Sequence, residues 1–363
     1  MRVGLVVEQL RRSVPGGIGS YASGLVQGLA ALGPQAPDRV LLASRPPSRP
    51  DPLAGLGLPL RTSVLPGALA TRAWDVGIRS KVGGLDLVHA VSLALPATGA
   101  VPSTACVHDL AWRELPGAYP PRGRRWHEAA LARTLRRASR LVVPSEATAR
   151  ALTDAGARAG TVEIVEEGCD HLAPPDLSGT DALLASLGVT GPYLLSVGTL
   201  EPRKNLPLLL QAFSLARRRL PGPWPLVVVG PRGWSDAQGR RVPVGSLPGV
   251  VLVGAVEPGI LSGLYARARC LAYVPLLEGW GLPAVEAMAM GTPVVASPMP
   301  STAGRALEVD PNDAEAVAAG LVRAATDESI RSALAAGGRE RAALLTWRAA
   351  AKAHLRIWRE VAA

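Results

Sequence analysis

Cysteine is scarce in this 363-residue chain: Cys106, Cys169 and Cys270 stand far apart, with no CxxC and no Cys/His spacing. That excludes a disulfide framework and offers no zinc pattern. Aromatic residues make up only 4% of the sequence, with a single Phe, although apolar residues make up 48%. The apolar mass is therefore Ala, Leu and Val, which suits helices packed on buried sheets better than a β-sandwich. No uninterrupted apolar run approaches the ~20 residues needed to cross a bilayer. The opening MRVGLVVEQLRR lacks the order of charge, apolar run and small residues that a secretory signal needs, and reads as a buried strand from residue 2. These absences predict a soluble chain of a reducing, cytoplasmic compartment. Lysine is nearly missing too: the net charge is +10, yet Lys81, Lys204 and Lys352 are the only lysines. The Arg and Ala excess has the look of GC-rich coding, so each remaining lysine is more informative than usual.

What is present is an alternation of short apolar runs with helical patterns, the mark of parallel α/β architecture. Strands are expected near 3–7, 39–43, 86–89, 104–108 and 140–144, with helices near 18–32, 122–139 and 146–155. A second series has strands near 193–197, 226–230, 250–253, 270–274 and 292–296, with helices near 206–219, 259–269, 282–290 and 314–325. Between them, 172–190 carries the Pro, Asp, Ser and Gly of a linker. The chain thus divides into domains 1–172 and 173–345, with a C-terminal amphipathic helix over 346–363 that can pack on either domain, back on the first included. Ligands of such sheets sit at the carboxyl ends of the strands, which points to a cleft between the two domains.

Four motifs lie at strand ends. EGWGLPAVE (278–286) places two carboxylates around a Gly-rich turn and a helix start. Gly279 and Gly281 permit the tight backbone and leave the amides of Gly281 and Leu282 unhindered, while Pro283 suits a first helical turn. The helix N-terminus is then open to an anion, and Glu286 can accept bonds from vicinal hydroxyls. Both glutamates could equally serve as caps near a helix start. VGTLEPRKN (197–205) brings Arg203 and Lys204 to the mouth of a helix capped by Asn205, an arrangement suited to a diphosphate, although a surface Arg-Lys pair is ordinarily just solvated. PGGIGSY (15–21) is a Gly-rich turn short of the dinucleotide fingerprint; Gly16 and Gly17 let backbone approach a phosphate or sugar, or simply make the turn. His108, with Asp109, ends a strand and is either catalytic or structural.

GGIGSY, VHDLAW, VPSEATAR, VEEGCD, VGTLEPRKNLPLLLQAF, VVVGPRGW, EGWGLPAVEAMAMGTPVVAS and LLTWRAAAKAH run collinearly through nearly the whole chain. In these blocks the sequence resembles the retaining GT-B glycosyltransferases of family 4, above all bacterial mannosyl- and rhamnosyltransferases of surface polysaccharides. The resemblance implies two Rossmann-like domains with parallel sheets facing an interdomain cleft, an acceptor-side first domain and a nucleotide-sugar-binding second one. It implies that Glu278 bonds hydroxyls of the donor sugar and Glu286 the ribose. Gly281 and Leu282 then face the sugar-phosphate, with Gly198 and Thr199 beside them. Arg203 and Lys204 neutralise the departing diphosphate, Gly17 approaches it, and His108 lies near the transferred sugar. Such enzymes are thought to react through an oxocarbenium-like transition state without a settled protein nucleophile. No metal or cofactor is expected, and no Asp-x-Asp occurs. Two departures stand out. Thr199 occupies a position that is basic in many members, leaving either Arg203 to take that phosphate contact or a weaker affinity. The segment SPMPSTAGRALEVDP is shorter than usual, which leaves the base open.

The positive charge is local. Residues 1–172 hold 20 Lys+Arg against 14 Asp+Glu, and 112–140 alone holds eight Arg against two Glu. On a helix Arg133, Arg136, Arg137 and Arg140 share one face, either solvated or set against anionic lipid or a polyprenyl-linked acceptor at the inner face of the membrane. A pI near 10.3 raises nucleic-acid binding as a rival, against which stand the local clustering and the lack of a nucleic-acid motif. The expected activity is transfer of a hexose, with GDP-mannose as donor, to a glycan, lipid-linked or small-molecule acceptor. Alternatives are a rhamnosyl- or glucosyltransferase using a dTDP- or UDP-sugar, a sugar epimerase or pyridoxal phosphorylase on the same fold, or a non-catalytic sugar-nucleotide binder.

Overall fold

The computed structural model describes residues 1–47, 50–78, 80–235, 238–240 and 247–363. In chain order the elements begin β1 (Arg2–Val6), α1 (Gly16–Ala30), β2 (Asp38–Ala43), β3 (Leu60–Thr62), α2 (Gly67–Asp75), β4 (Leu87–Ala90) and β5 (Ser103–Cys106). Then come the one-turn α3 (Ala111–Glu114), α4 (Pro121–Arg137), β6 (Arg140–Val143), α5 (Glu146–Asp154) and β7 (Val162–Ile164). The second series is α6 (Leu177–Ser186), β8 (Leu194–Val197), α7 (Leu206–Ala216), β9 (Leu226–Val229), β10 (Val250–Gly254), α8 (Pro258–Arg267), β11 (Cys270–Tyr273) and α9 (Leu282–Ala289). It closes with β12 (Val294–Ala296), β13 (Leu307–Glu308), α10 (Ala314–Thr326), α11 (Glu328–Leu344) and α12 (Trp347–Ala362).

The chain forms two compact units. One holds Met1–Leu110, Arg122–His171 and Thr346–Ala363; the other holds Ala111–Pro121 and Leu172–Leu345. Each is a Rossmann-like α/β layer built on one parallel sheet, ordered β3-β2-β1-β4-β5-β6-β7 in the first and β10-β9-β8-β11-β12-β13 in the second. Strands buried on both faces must be apolar throughout, and LVVV of β9 and CLAY of β11 are buried at every position. In the second unit, Leu209, Leu210 and Phe213 of α7 pack with Val317 and Leu321 of α10 against the sheet. In each sheet the order reverses beside its first strand, between β1 and β4 and between β8 and β11. The crevice at such a switch point, outside the carboxyl ends, is where an open α/β sheet receives a ligand.

Three local expectations are corrected. The stretch 172–190 is no bare linker: Asp176 accepts from the Gly179 amide at 2.9 Å and starts α6, because an Asp before a short apolar run is an N-cap. Asn205 stands at the N-cap position of α7, but its side chain makes no capping bond. It adopts a left-handed φ of 59°, which Asn tolerates, and its Nδ2 donates to Val274 O at 3.2 Å and Pro311 O at 2.7 Å. The arginine stripe does not survive as one free face either. Helix α4 ends at Arg137 while Arg140 begins β6; Arg133 pairs with Asp75 of α2, and Arg137 donates to Trp74 O at 3.1 Å. Of the four, only Arg136 is exposed; the solvated arginines Arg122, Arg124 and Arg125 sit at the other end of α4.

Helix α12 packs on α1 in the first unit. Trp347 is seated where a Cβ on Gly24 would come within 2.0 Å of its indole and one on Gly28 within 2.1 Å of its carbonyl, so only glycine permits this approach. Its Nε1 donates to His171 at 2.9 Å and its amide to Asp170 at 2.7 Å. Buried His354 gives Nδ1–H to Ala350 O and so accepts from the Tyr21 hydroxyl on Nε2, at 2.8 Å each.

Candidate active site

The richest cluster of chemistry lies in the second unit at its switch point. A single 3₁₀ turn, Pro202–Lys204, follows β8 and carries Arg203 and Lys204; Glu278 follows β11. Backbone bonds tie the loops, with the Leu276 amide donating to Arg203 O at 3.0 Å. A small pocket, open to solvent, is lined by Gly198, Thr199, Lys204 and Tyr273 above apolar Leu206 and Val228.

Here one carboxylate oxygen is heavily engaged. Glu278 Oε1 accepts from Lys204 Nζ and, at 3.0 Å, from the Tyr273 hydroxyl, and it pairs with Arg203 Nη1 at 2.9 Å. Oε2 has no partner among the described residues. Burial alone would raise this carboxyl, but the Arg203 and Lys204 charges outweigh it and bring it down to about 2, so Glu278 is ionised at any working pH. Arg203 is almost fully buried, and its Nη atoms are committed to Glu201 at 2.8 Å, Leu277 O at 3.0 Å and Glu278. It braces the site, which leaves Lys204 as the cation on the pocket wall. The pairs Arg203–Glu201 and Lys204–Glu278 balance to no net charge.

The turn before α9 shows why two of its residues are needed. Gly281 stands at φ 105°, a region that disfavours side chains, and a Cβ there would meet Met299 at 2.5 Å. Gly279 is not among the positive-φ glycines, so the tight geometry expected of both rests on Gly281 alone. Helix α9 begins at Leu282 with no side-chain cap; Pro283 has no N–H and the Ala284 amide donates to Gly281 O at 3.1 Å, which leaves the Leu282 amide for another acceptor. Glu286 is buried one turn in, with Oε2 accepting from the Tyr265 hydroxyl of α8 at 2.8 Å. Burial, then Glu286 itself, drives that phenol well above its ordinary value, so it stays a donor.

The remaining sequence candidates lie in the first unit. Gly16 and Gly17 are exposed at the start of α1, with open space where each Cβ would stand. His108 falls two residues past the end of β5. Its Nε2 is 2.9 Å from Val91 O, which can only accept, and its Nδ1 is 3.1 Å from Glu167 Oε1. Burial would lower this histidine, but Cys106 and then Glu167 outweigh it and hold it well above its usual value. Protonated, the ring satisfies both contacts at once, Nε2–H to Val91 O and Nδ1–H to Glu167. Sequence reasoning missed Glu167, Tyr265 and Tyr273. The one usable signal was scarcity: the chain has five tyrosines, and Tyr273 closes an apolar strand where a hydroxyl has no packing purpose.

Among the described residues no group of His, Cys, Asp and Glu could hold a metal ion, and no helix is long and apolar enough to cross a membrane. Residues 15–171 match the family described as Glycosyltransferase Family 4, and residues 191–327 match Glycosyl transferases group 1. Over 161 residues the chain is 39% identical to O-antigen chain mannosyltransferase B of Escherichia coli, covering 43% of this chain and 42% of that protein. Over 207 residues it is 32% identical to a D-inositol 3-phosphate glycosyltransferase of Saccharomonospora viridis, covering 50% and 46%. The match thus spans less than half the length of either relative. Among solved structures, Anabaena Alr3699/HepE in complex with UDP and glucose superposes with a TM-score of 0.73 at 17% identity, over 99% of this chain and 100% of that one. Sucrose-phosphate synthase from Thermosynechococcus elongatus gives 0.72 at 22%, over 99% and 98%. The fold is GT-B.

Proposed function

We propose that this chain is a glycosyltransferase whose second unit holds a nucleoside-diphosphate sugar and whose reaction moves a hexose with retention of configuration and without a metal. The observation that carries this reading is Glu278: Oε1 is fixed by three donors while Oε2 makes no bond among the described residues, beside Lys204 of the pocket wall. An ionised carboxylate with one anchored and one free oxygen is a rigid acceptor for sugar hydroxyls. Breaking the glycosidic bond sends negative charge onto the diphosphate, and a preplaced cation stabilises it; one such donor is worth roughly 2.7–4 kcal/mol. The start of α9 adds the Leu282 amide and a favourable dipole for the same anion. Glu286, held by Tyr265, serves the ribose hydroxyls.

GDP-mannose is the donor this reading favours, supported by the likeness to O-antigen chain mannosyltransferase B, with a glycan or lipid-linked acceptor. A UDP-sugar is the second reading, prompted by the Anabaena complex with UDP-glucose. Contact with an anionic membrane, for a lipid-linked acceptor, falls to exposed Arg122, Arg124 and Arg125 rather than to the stripe at 133–140. Hydrolysis and transfer assays across GDP-, UDP- and dTDP-sugars in EDTA, with the product anomer read by NMR, decide these points. Glu278→Ala is expected to fold and to lose transfer; full transfer by that variant would falsify the site assignment.

A further inference from the structure

So far Tyr273 has counted only as one of the three donors to Glu278 Oε1. It ends β11, is 3% exposed, and lines the pocket with Lys204. Its hydroxyl accepts from Lys204 Nζ at 2.8 Å and donates to Glu278 Oε1 at 3.0 Å, while the ammonium lies 5.2 Å from the ring centre. The polarity is forced: an ammonium has no lone pair and an ionised carboxylate no proton, so the phenol must accept from one and donate to the other. Burial, with Glu278 next, pushes the phenol well above its ordinary value and keeps that proton on it.

We propose that Tyr273 is a positioning residue for transfer: its hydroxyl keeps the Lys204 ammonium aimed along the pocket wall and keeps Glu278 Oε1 in place when a diphosphate draws that ammonium away. This rests on the pocket's being the donor site. Lys204 ends a flexible four-carbon stem, and a diphosphate can recruit it only by breaking its contact with Glu278. With the hydroxyl present, the ammonium is shared between two acceptors and Oε1 keeps two donors, Arg203 and Tyr273, after Lys204 leaves. Without the hydroxyl, the ammonium is left to the carboxylate alone. The contact to be broken tightens, and the carboxylate loses a support at the moment the sugar needs Oε2.

Tyr273→Phe keeps the ring and removes only the hydroxyl. The expected kcat falls on the order of tenfold to a hundredfold, the worth of a hydrogen bond to a charged group, while donor KM changes less than about threefold. A second readout needs no substrate. The chain has only three lysines, so the Lys204 side chain can be followed by NMR of 13C-lysine protein and assigned with Lys204→Arg. In Tyr273→Phe its Cε and Hε signals are expected to shift from the wild-type position. An unchanged kcat or an unshifted Lys204 signal overturns the proposal. Should the wild type turn over no nucleoside-diphosphate sugar, the donor-site reading fails, and the NMR comparison still decides whether the hydroxyl holds the ammonium.

Discussion

His108 with Glu167 in the first unit and Lys204 with Glu278 in the second are both ion pairs placed just past the carboxyl end of a strand. They are built to different ends. In the first, both ring nitrogens of the cation face acceptors, so the pair closes on itself and serves to hold two loops together. In the second, the cation reaches a solvent-open pocket and the carboxylate keeps one oxygen unengaged. The comparison teaches that charge at a strand end does not by itself mark a reacting centre. What marks it is bonding capacity left over after the fold has been satisfied.

The largest effect is expected from Glu278→Gln, which keeps the shape but strips Lys204 of its counter-charge and leaves Arg203 with Glu201 alone. Turnover is expected to fall about a thousandfold or more, with stability lower by roughly 3–5 kcal/mol, since removing one partner of a buried pair strands the other. Denaturant titration alongside a transfer assay separates the two losses. Lys204→Ala comes next, with turnover down roughly a hundredfold to a thousandfold; a smaller loss than that from His108→Gln would reverse the ranking of the two pairs. The first unit's pair is expected to show in stability instead. His108 titrates well above its ordinary value, so its contribution is whole below about pH 6.5 and fades as pH rises through the raised value. The gap in urea midpoint between wild type and Glu167→Gln is therefore expected to be widest near pH 6 and to narrow on the alkaline side. A constant gap would mean that the pair acts by packing rather than charge. The smallest effect belongs to Arg136→Ala, exposed and within about 0.5 kcal/mol of wild type. Arg133→Ala, which breaks the contact with Asp75, is expected to cost measurably more in the same thermal scan.

Much of the fold was legible because parallel strands buried on both faces read as unbroken apolar runs, and β1, β9 and β11 could hardly be anything else. Three of the four edge strands escaped. Leu60–Thr62, Val162–Ile164 and Leu307–Glu308 are two or three residues long and partly polar, so their pairing is decided by neighbours and not by pattern. In the site, Glu278, Glu286 and Lys204 were legible from spacing or rarity. Tyr273 and Glu167 were not, because each acquires its meaning from a partner 69 or 59 positions away. Arg203 shows the converse: its position at the strand end was read correctly, but that its two terminal nitrogens are engaged by Glu201, Leu277 and Glu278 is visible only in three dimensions.

The seating of α12 on α1 bears on how the chain is made. Tyr21 waits for His354, 333 positions later, and the groove at Gly24 and Gly28 waits for Trp347. During synthesis the whole stretch Leu172–Leu345 emerges before the first unit can be finished. The unit begun second is therefore free to finish first, while the unit begun first keeps an aromatic-lined face uncovered on the ribosome. Closing that face is a contact of very long sequence separation, the kind that slows folding and exposes a chain to aggregation. Release of chains shortened to residue 345 is expected to yield a native second unit joined to a sticky, incomplete first one.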